Sequence, residues 1–187
     1  MDLTSYFKDF NAVLAKCLAD PKHQEGLQQA IALIKATGPA KTKIILVGNG
    51  GSAAIAEHMA IDLTKNAGFR AMAISGTPTL TTFANDFGYE QIYVKGIEAF
   101  GDAGDVLIAI SSGGTSKNIL NAVTTAKNMK MKIITFSGFD ANNPLRQMGD
   151  VNIWVDSRAF GYVEMIHHVL IHYINDAIIG RAEYMIR

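Results

Sequence analysis

Apolar positions along this chain follow two rhythms, helical spacing and short β-branched runs, separated by glycine- and serine-rich breaks. Between Thr4 and Ala36 the spacing is helical twice over. Phe7, Phe10, Val13, Leu14, Cys17 and Leu18 form one stripe, Leu27, Ala30, Ile31, Leu33 and Ile34 a second, and Asp20-Pro21 parts them. Gly38-Pro39 is expected to end the second helix. Beyond it the pattern becomes strand, polar turn, helix. Ile44–Val47 precedes a helix over Ala53–Thr64, and Phe69–Ile74 precedes a helical stretch through Phe83. The turn-rich Asn85–Tyr89 leads into a helix through Phe100. Asp105–Ile110 is followed by a helix over Lys117–Met129, and Lys132–Phe136 by a short helix near Pro144–Met148. Val151–Val155 makes a fifth strand, and a long helix from about Tyr162 to Ala182 closes the chain.

Strands that alternate with helices predict an α/β fold: a parallel sheet, helices on both faces, right-handed crossovers. The expected architecture is a three-layer, doubly wound sheet of five parallel strands in flavodoxin-like order, preceded by two helices. Ligands bind such sheets beyond the carboxyl ends of the strands, at the switch point. No repeat, linker or low-complexity stretch interrupts the pattern. One domain is therefore expected over residues 1–187, with a helical pair over 1–38 for packing or oligomerisation and the sheet core over 39–187.

Composition narrows the function classes. A chain of 187 residues with 49% hydrophobic and 18% charged residues can bury a full core. Seventeen basic residues balance seventeen acidic ones, which removes the electrostatic case for nucleic acid or an anionic membrane and leaves self-association open. Cys17 is alone, so neither a disulfide framework nor a cysteine metal site is available, and a packed thiol is expected. The opening MDLTSYFKDF lacks the apolar core of a signal peptide, and no apolar run reaches the roughly 20 residues of a membrane span. The expected location is the cytoplasm.

Two loops carry the first candidate chemistry. Gly48-Asn49-Gly50-Gly51 follows the first strand, with Ser52 placed as N-cap of the next helix. Ser111-Ser112-Gly113-Gly114-Thr115-Ser116 follows the third strand and opens another helix. Backbone N–H groups, hydroxyls and helix N-termini without a dedicated lysine suit the phosphate monoester of a small metabolite. The Walker spacing is absent, and no acidic residue follows the second strand to hold a ribose, so a nucleotide is disfavoured. The second candidate is ionisable. His58 and Asp62 share one helical face, and Glu164, His168 and His172 share a stripe on the last helix, with His167 turned away by about one hundred degrees. Such a set supplies ligands for a divalent metal such as zinc, or equally general acids and bases. Trp154, the scattered methionines and the lysines Lys41, Lys43, Lys127, Lys130 and Lys132 read as packing or solvated surface.

Taken together, VGNGGSAA, the helix bearing His58, FANDFGYE, GDVLIAISSGGTS and the histidine-bearing last helix resemble the sugar isomerase (SIS) domain family, specifically its phosphoheptose isomerase branch. The resemblance implies a zinc-dependent, homotetrameric aldose–ketose isomerase acting on sedoheptulose 7-phosphate, with sites at subunit interfaces. It implies that Asn49, Gly50, Gly51, Ser52, Ser111, Ser112, Gly113 and Ser116 hold substrate, with Asn85, Asp86 and Glu164 beside them. His58, Asp62, Glu164 and His172 would be metal ligands, with His168 as a further candidate, and Asp62 and His172 would move the proton. The alternative is a non-catalytic phosphosugar-binding relative acting as a regulator or binding a replication initiator. The chain departs from the family pattern at several points. Asp62 replaces a glutamate, Glu164 a glutamine, Gly113 a serine and Asn66 an arginine, while Phe160 and Tyr162 stand where threonine and arginine are usual.

Overall fold

The computed structural model describes residues 2–183. Two helices come first, α1 (Leu3–Ala19) and α2 (Pro21–Ala40). Asp2 caps α1 by accepting from the Ser5 N–H at 3.1 Å; Asp20 caps α2 through the Lys22 N–H at 2.9 Å, with Pro21 in the first turn. The strands are β1 (Ile44–Gly48), β2 (Ala71–Ala73), β3 (Val106–Ser111), β4 (Lys132–Ser137) and β5 (Val151–Trp154). The intervening helices are α3 (Gly51–Lys65), α4 (Thr77–Phe87), α5 (Ile92–Phe100) and α6 (Lys117–Asn128), and α7 (Phe160–Ile179) follows β5.

All strand pairs are parallel and the order is β2-β1-β3-β4-β5, the doubly wound arrangement expected. Alternate residues of each strand serve opposite cores. Ile44, Leu46, Ile108, Ile110 and Phe136 face α2, α3 and α7. Ile45, Val47, Leu107, Ala109 and Ile133 face α5 and α6. Burial on both faces explains why the central strands read as unbroken apolar runs rather than alternating ones.

Several boundaries differ from expectation, each for a local reason. Helix α2 runs through Gly38-Pro39 to Ala40, because Pro39 sits in the last turn and Lys41, at φ 57°, closes the helix by donating to Gly38 O. Only Ala71–Ala73 of the second apolar run pair with β1, and all three are half-buried, as befits an edge strand. The polar Asn85-Asp86-Phe87 is not a turn but the end of α4, which stops at Gly88 with φ 86°. The short helix after β4 is a single 3-10 turn, Leu145–Gln147. Ser52 is not the N-cap of α3; Gly50 is, and Ser52 lies buried in the first turn. Cys17 is packed as expected, its thiol pushed up to about 11 by burial.

Lys43 is likewise not solvated surface. Its ammonium lies 2.6 Å from the carboxylate of Asp105, which is fully buried, and 2.5 Å from that of Asp102. Asp105 also accepts the backbone N–H groups of Lys43 and Asp102, each at 2.8 Å, and so ties the starts of β1 and β3 together. Replacing Asp105 by alanine would strand a shielded ammonium and two amides. Urea unfolding of Asp105→Ala should show a loss of about 3 kcal/mol.

Candidate functional site

Strands β1 and β3 are in register, with Gly48 opposite Ile110, so both loops leave the same edge side by side. They enclose a cavity of about 120 Å³, floored by Asn49, Ser52, Ser111, Ser112 and Ser116 and walled by Phe160 and Glu164 of α7. The backbone must turn sharply into α3, and Gly50 takes φ +55° to do so. Gly51 sits close under α7: a Cβ there would stand 2.6 Å from the Glu164 carboxylate, which would have to swing aside. Ser111 and Ser116 hydroxyls lie 3.3 Å apart. The Ser112 hydroxyl is buried without a hydrogen-bond partner.

Below the loops, Tyr93 is buried, donates to Gly48 O, and has its phenol pushed up to about 12 by that burial. Tyr89 reaches from the segment after α4 to donate to Asn49 Oδ1 at 3.0 Å.

The packing of α3 against α7 builds the second group. Atoms of His58, His168 and His172 lie within 4.8 Å of one another. Asp62 Oδ2 stands 3.4 Å from His58 Nε2 and 3.7 Å from His172 Nδ1, while its other oxygen accepts from Asn66 at 3.1 Å. The two nitrogens of His58 face different neighbours: Nε2 toward Asp62, Nδ1 toward His168 Nε2 at 3.2 Å. Partial burial, then the adjacent His172 and His58 imidazoles, hold His168 below the usual histidine value, which favours a neutral ring. Three imidazoles beside a carboxylate match the donor chemistry of zinc.

The structure thus gathers the predicted residues into two neighbouring groups. Asn49, Ser52, Ser111, Ser112, Gly113, Ser116 and Glu164 line the cavity, with Gly50 and Gly51 shaping its entrance turn. His58, Asp62, His168 and His172 form the other group, and Glu164 is not in the close imidazole cluster but against Gly51. Asn85 and Asp86 are exposed, bonded to each other at 2.8 Å, and do not line the cavity. His167 points the other way, fully buried against Phe136 and bonded to Ser137 O at 3.0 Å. One polar residue escaped the sequence reading. Asn118, buried in the first turn of α6, exchanges two hydrogen bonds of 2.9 Å with Asn49. Its only sequence signal is an asparagine two places after the serine-rich loop.

A doubly wound parallel sheet with an oxyanion cavity between the loops of β1 and β3 is the frame of a phosphosugar-binding domain, and the chain belongs to the SIS domain family, whose pattern matches residues 5–138. Within that family it falls in the phosphoheptose isomerase branch. It is 37% identical over 161 residues to a phosphoheptose isomerase of Helicobacter pylori, covering 83% of each chain. With that of Haemophilus ducreyi it shares 39% identity over 166 residues, covering 86% of this chain and 85% of the relative. The solved phosphoheptose isomerase of Neisseria gonorrhoeae superimposes with a TM-score of 0.87 at 30% identity, over 94% of this chain and 96% of that one.

His167, packed away from the site, gives the fold a pH signature. Burial depresses it to about 4, so between pH 6.5 and 4 the unfolded chain binds a proton that the folded chain refuses. Stability should therefore fall as pH drops through this window, by roughly 3 kcal/mol when complete. Urea titrations at pH 7 and pH 4.5 should show His167→Phe losing distinctly less than the parent between the two.

Proposed function

We propose that the protein is an aldose–ketose isomerase interconverting sedoheptulose 7-phosphate and D-glycero-D-manno-heptose 7-phosphate, with a divalent metal at the histidine cluster. The observation that carries this reading is the cavity of about 120 Å³ lined by Asn49, Ser111, Ser112 and Ser116 between the two loops, beside that cluster. The phosphate sits among Asn49, Ser111, Ser112 and Ser116, which anchors one end of the sugar. The carbonyl end then extends along α7, past Glu164, toward Asp62 and His172.

Isomerisation moves one proton between adjacent carbons and needs no external oxidant. A base takes a proton from C1 of the ketose and the C2 oxygen gains one as the enediol forms; the O1 hydroxyl then gives up its proton to become the aldehyde oxygen as a proton is delivered to C2. Asp62 and His172, 3.7 Å apart, are the pair assigned to this exchange. Asn66 orients Asp62 by donating to the oxygen that does not face the imidazoles. His58, Asp62 and His172 would hold zinc; bound there, the ion supplies Lewis-acid stabilisation of negative charge on the substrate oxygens. A ligating histidine usually gives its other nitrogen to a neighbour. His58 Nδ1 lies 3.2 Å from His168 Nε2, so a metal held at His58 Nε2 would leave Nδ1–H to donate to His168 as a supporting residue. Glu164, implied as a ligand by resemblance, stands at the cavity wall where it can accept from a sugar hydroxyl.

The apolar surface supports the homotetramer that the resemblance implies. Met165, Val169 and Tyr173 are exposed along α7 at four-residue spacing, Ile61 is exposed on α3, and Leu3 and Phe7 are exposed on α1. A cavity of about 680 Å³ opens beside the same stripe, between His172 and Arg181. Such a surface belongs between copies of the chain. Sedimentation should give the mass of four chains, and Val169→Glu should shift it to smaller species; a monomer at micromolar concentration contradicts the assembly.

Metal content and turnover test the activity together. The purified protein should carry about one zinc per chain and isomerise sedoheptulose 7-phosphate, chelation should abolish turnover, and Asp62→Asn and His172→Ala should each cost at least about 100-fold in kcat. Metal-free protein that binds sugar phosphates without turning them over would instead mark a non-catalytic binding protein.

A further inference from the structure

We infer that Asn118 is a positioning residue for phosphate binding: it fixes the Asn49 amide so that Asn49 presents only N–H to the cavity. The inference rests on reading that cavity as the phosphate site. An asparagine amide has two interchangeable-looking ends, a carbonyl that accepts and an NH2 that donates, and only the second suits an anion. Something must therefore set which end of Asn49 faces the ligand.

The setting starts from the backbone. The Ile119 N–H is shared between Ser116 O and the side chain of Asn118, each 3.0 Å away, and because a backbone N–H can only donate, the Asn118 atom it meets is the carbonyl oxygen. That places the Asn118 NH2 on the other side, donating to Asn49 at 2.9 Å, so the atom of Asn49 facing it is Oδ1. The reciprocal bond, Asn49 Nδ2 to Asn118 Oδ1, also at 2.9 Å, completes the ring. Tyr89 adds a second donor to Asn49 Oδ1 at 3.0 Å. With its carbonyl committed and one of its two N–H protons used, Asn49 keeps a single donor, and Asn49 lines the cavity. Asn118 itself is 2% exposed and does not line the cavity, so it acts through Asn49. The same pair staples the loop after β1 to the helix after β3, holding the two walls of the cavity at one separation.

The consequence is coupling. If Asn118 serves phosphate binding only by fixing Asn49, then once Asn49 is gone Asn118 has nothing left to contribute. The test compares the full-length protein with Asn49→Ala, Asn118→Ala and the double variant. It measures competition by inorganic phosphate and kcat and KM for sedoheptulose 7-phosphate. Each single change should weaken phosphate and raise KM roughly tenfold, about the worth of one hydrogen bond to a charged group, with kcat little changed. The double variant should be no worse than Asn49→Ala alone. Asn118→Leu keeps the volume but offers neither donor nor acceptor to Asn49; it should show the same coupling if Asn118→Ala fails to fold. Losses that multiply in the double variant, or an Asn118→Ala enzyme with unchanged KM beside an impaired Asn49→Ala, overturn the inference alone. A parent protein that neither binds phosphate nor turns over the sugar overturns the phosphate reading, and the inference with it.

Discussion

The in-register pairing of β1 with β3 is the constraint on which the rest of the site depends. Gly48 lies opposite Ile110, so the glycine loop and the serine loop begin at the same height on the same edge. Neither loop alone encloses a ligand. Side by side they form one cavity, and the order β2-β1-β3 sends the chain outward on both sides of it, leaving the crevice open at the switch point. Asp105 secures the pairing at the far end of the strands, where it takes the Lys43 ammonium and two backbone amides.

The second dependency is the packing of α3 on α7. Ile55, Met59 and Leu63 on one helix and Val163, Ile166 and Leu170 on the other are buried in the same core. Burying these stripes turns His58 and Asp62 toward His168 and His172. It also sets the Glu164 carboxylate directly over Gly51, where a Cβ would displace it. One helix thus serves both groups, its early turns walling the cavity and its later turns carrying imidazoles. About 12 Å of helix separates residue 164 at the cavity from residue 172 in the imidazole group. In the proposed reaction, a fixed anchor held at a set distance from an acid–base pair would orient a flexible sugar chain, and positioning alone supplies much of a catalytic advantage.

Much of this was legible from residue patterns because the central strands are buried on both faces and the loops have unusual composition. Ile44–Val47 and Val106–Ile110 have no alternative as continuous apolar runs ending in glycine or serine turns. Histidines at four-residue spacing on an apolar helix announce a face. What escaped depended on tertiary context. Pro39 looked terminal, yet a proline in a last turn forfeits little when Lys41 closes the helix behind it. Asn85–Phe87 looked like a turn, although the terminator is Gly88. Ser52 resembled a cap but is buried, because Gly50 makes the turn one step earlier. Asn118 was silent because its meaning lies in a contact with a residue 69 positions away.

The central claim is that the two loops form one phosphate site lined by Asn49, Ser111, Ser112 and Ser116, and a structure with sedoheptulose 7-phosphate bound tests it most directly. The account predicts the phosphate between the loops, with the Ser112 hydroxyl and the Asn49 amide donating to its oxygens and the carbonyl end of the sugar beside Asp62 and His172. A phosphate seated at the imidazole cluster, or outside the loops with Ser112 still without a partner, would contradict it.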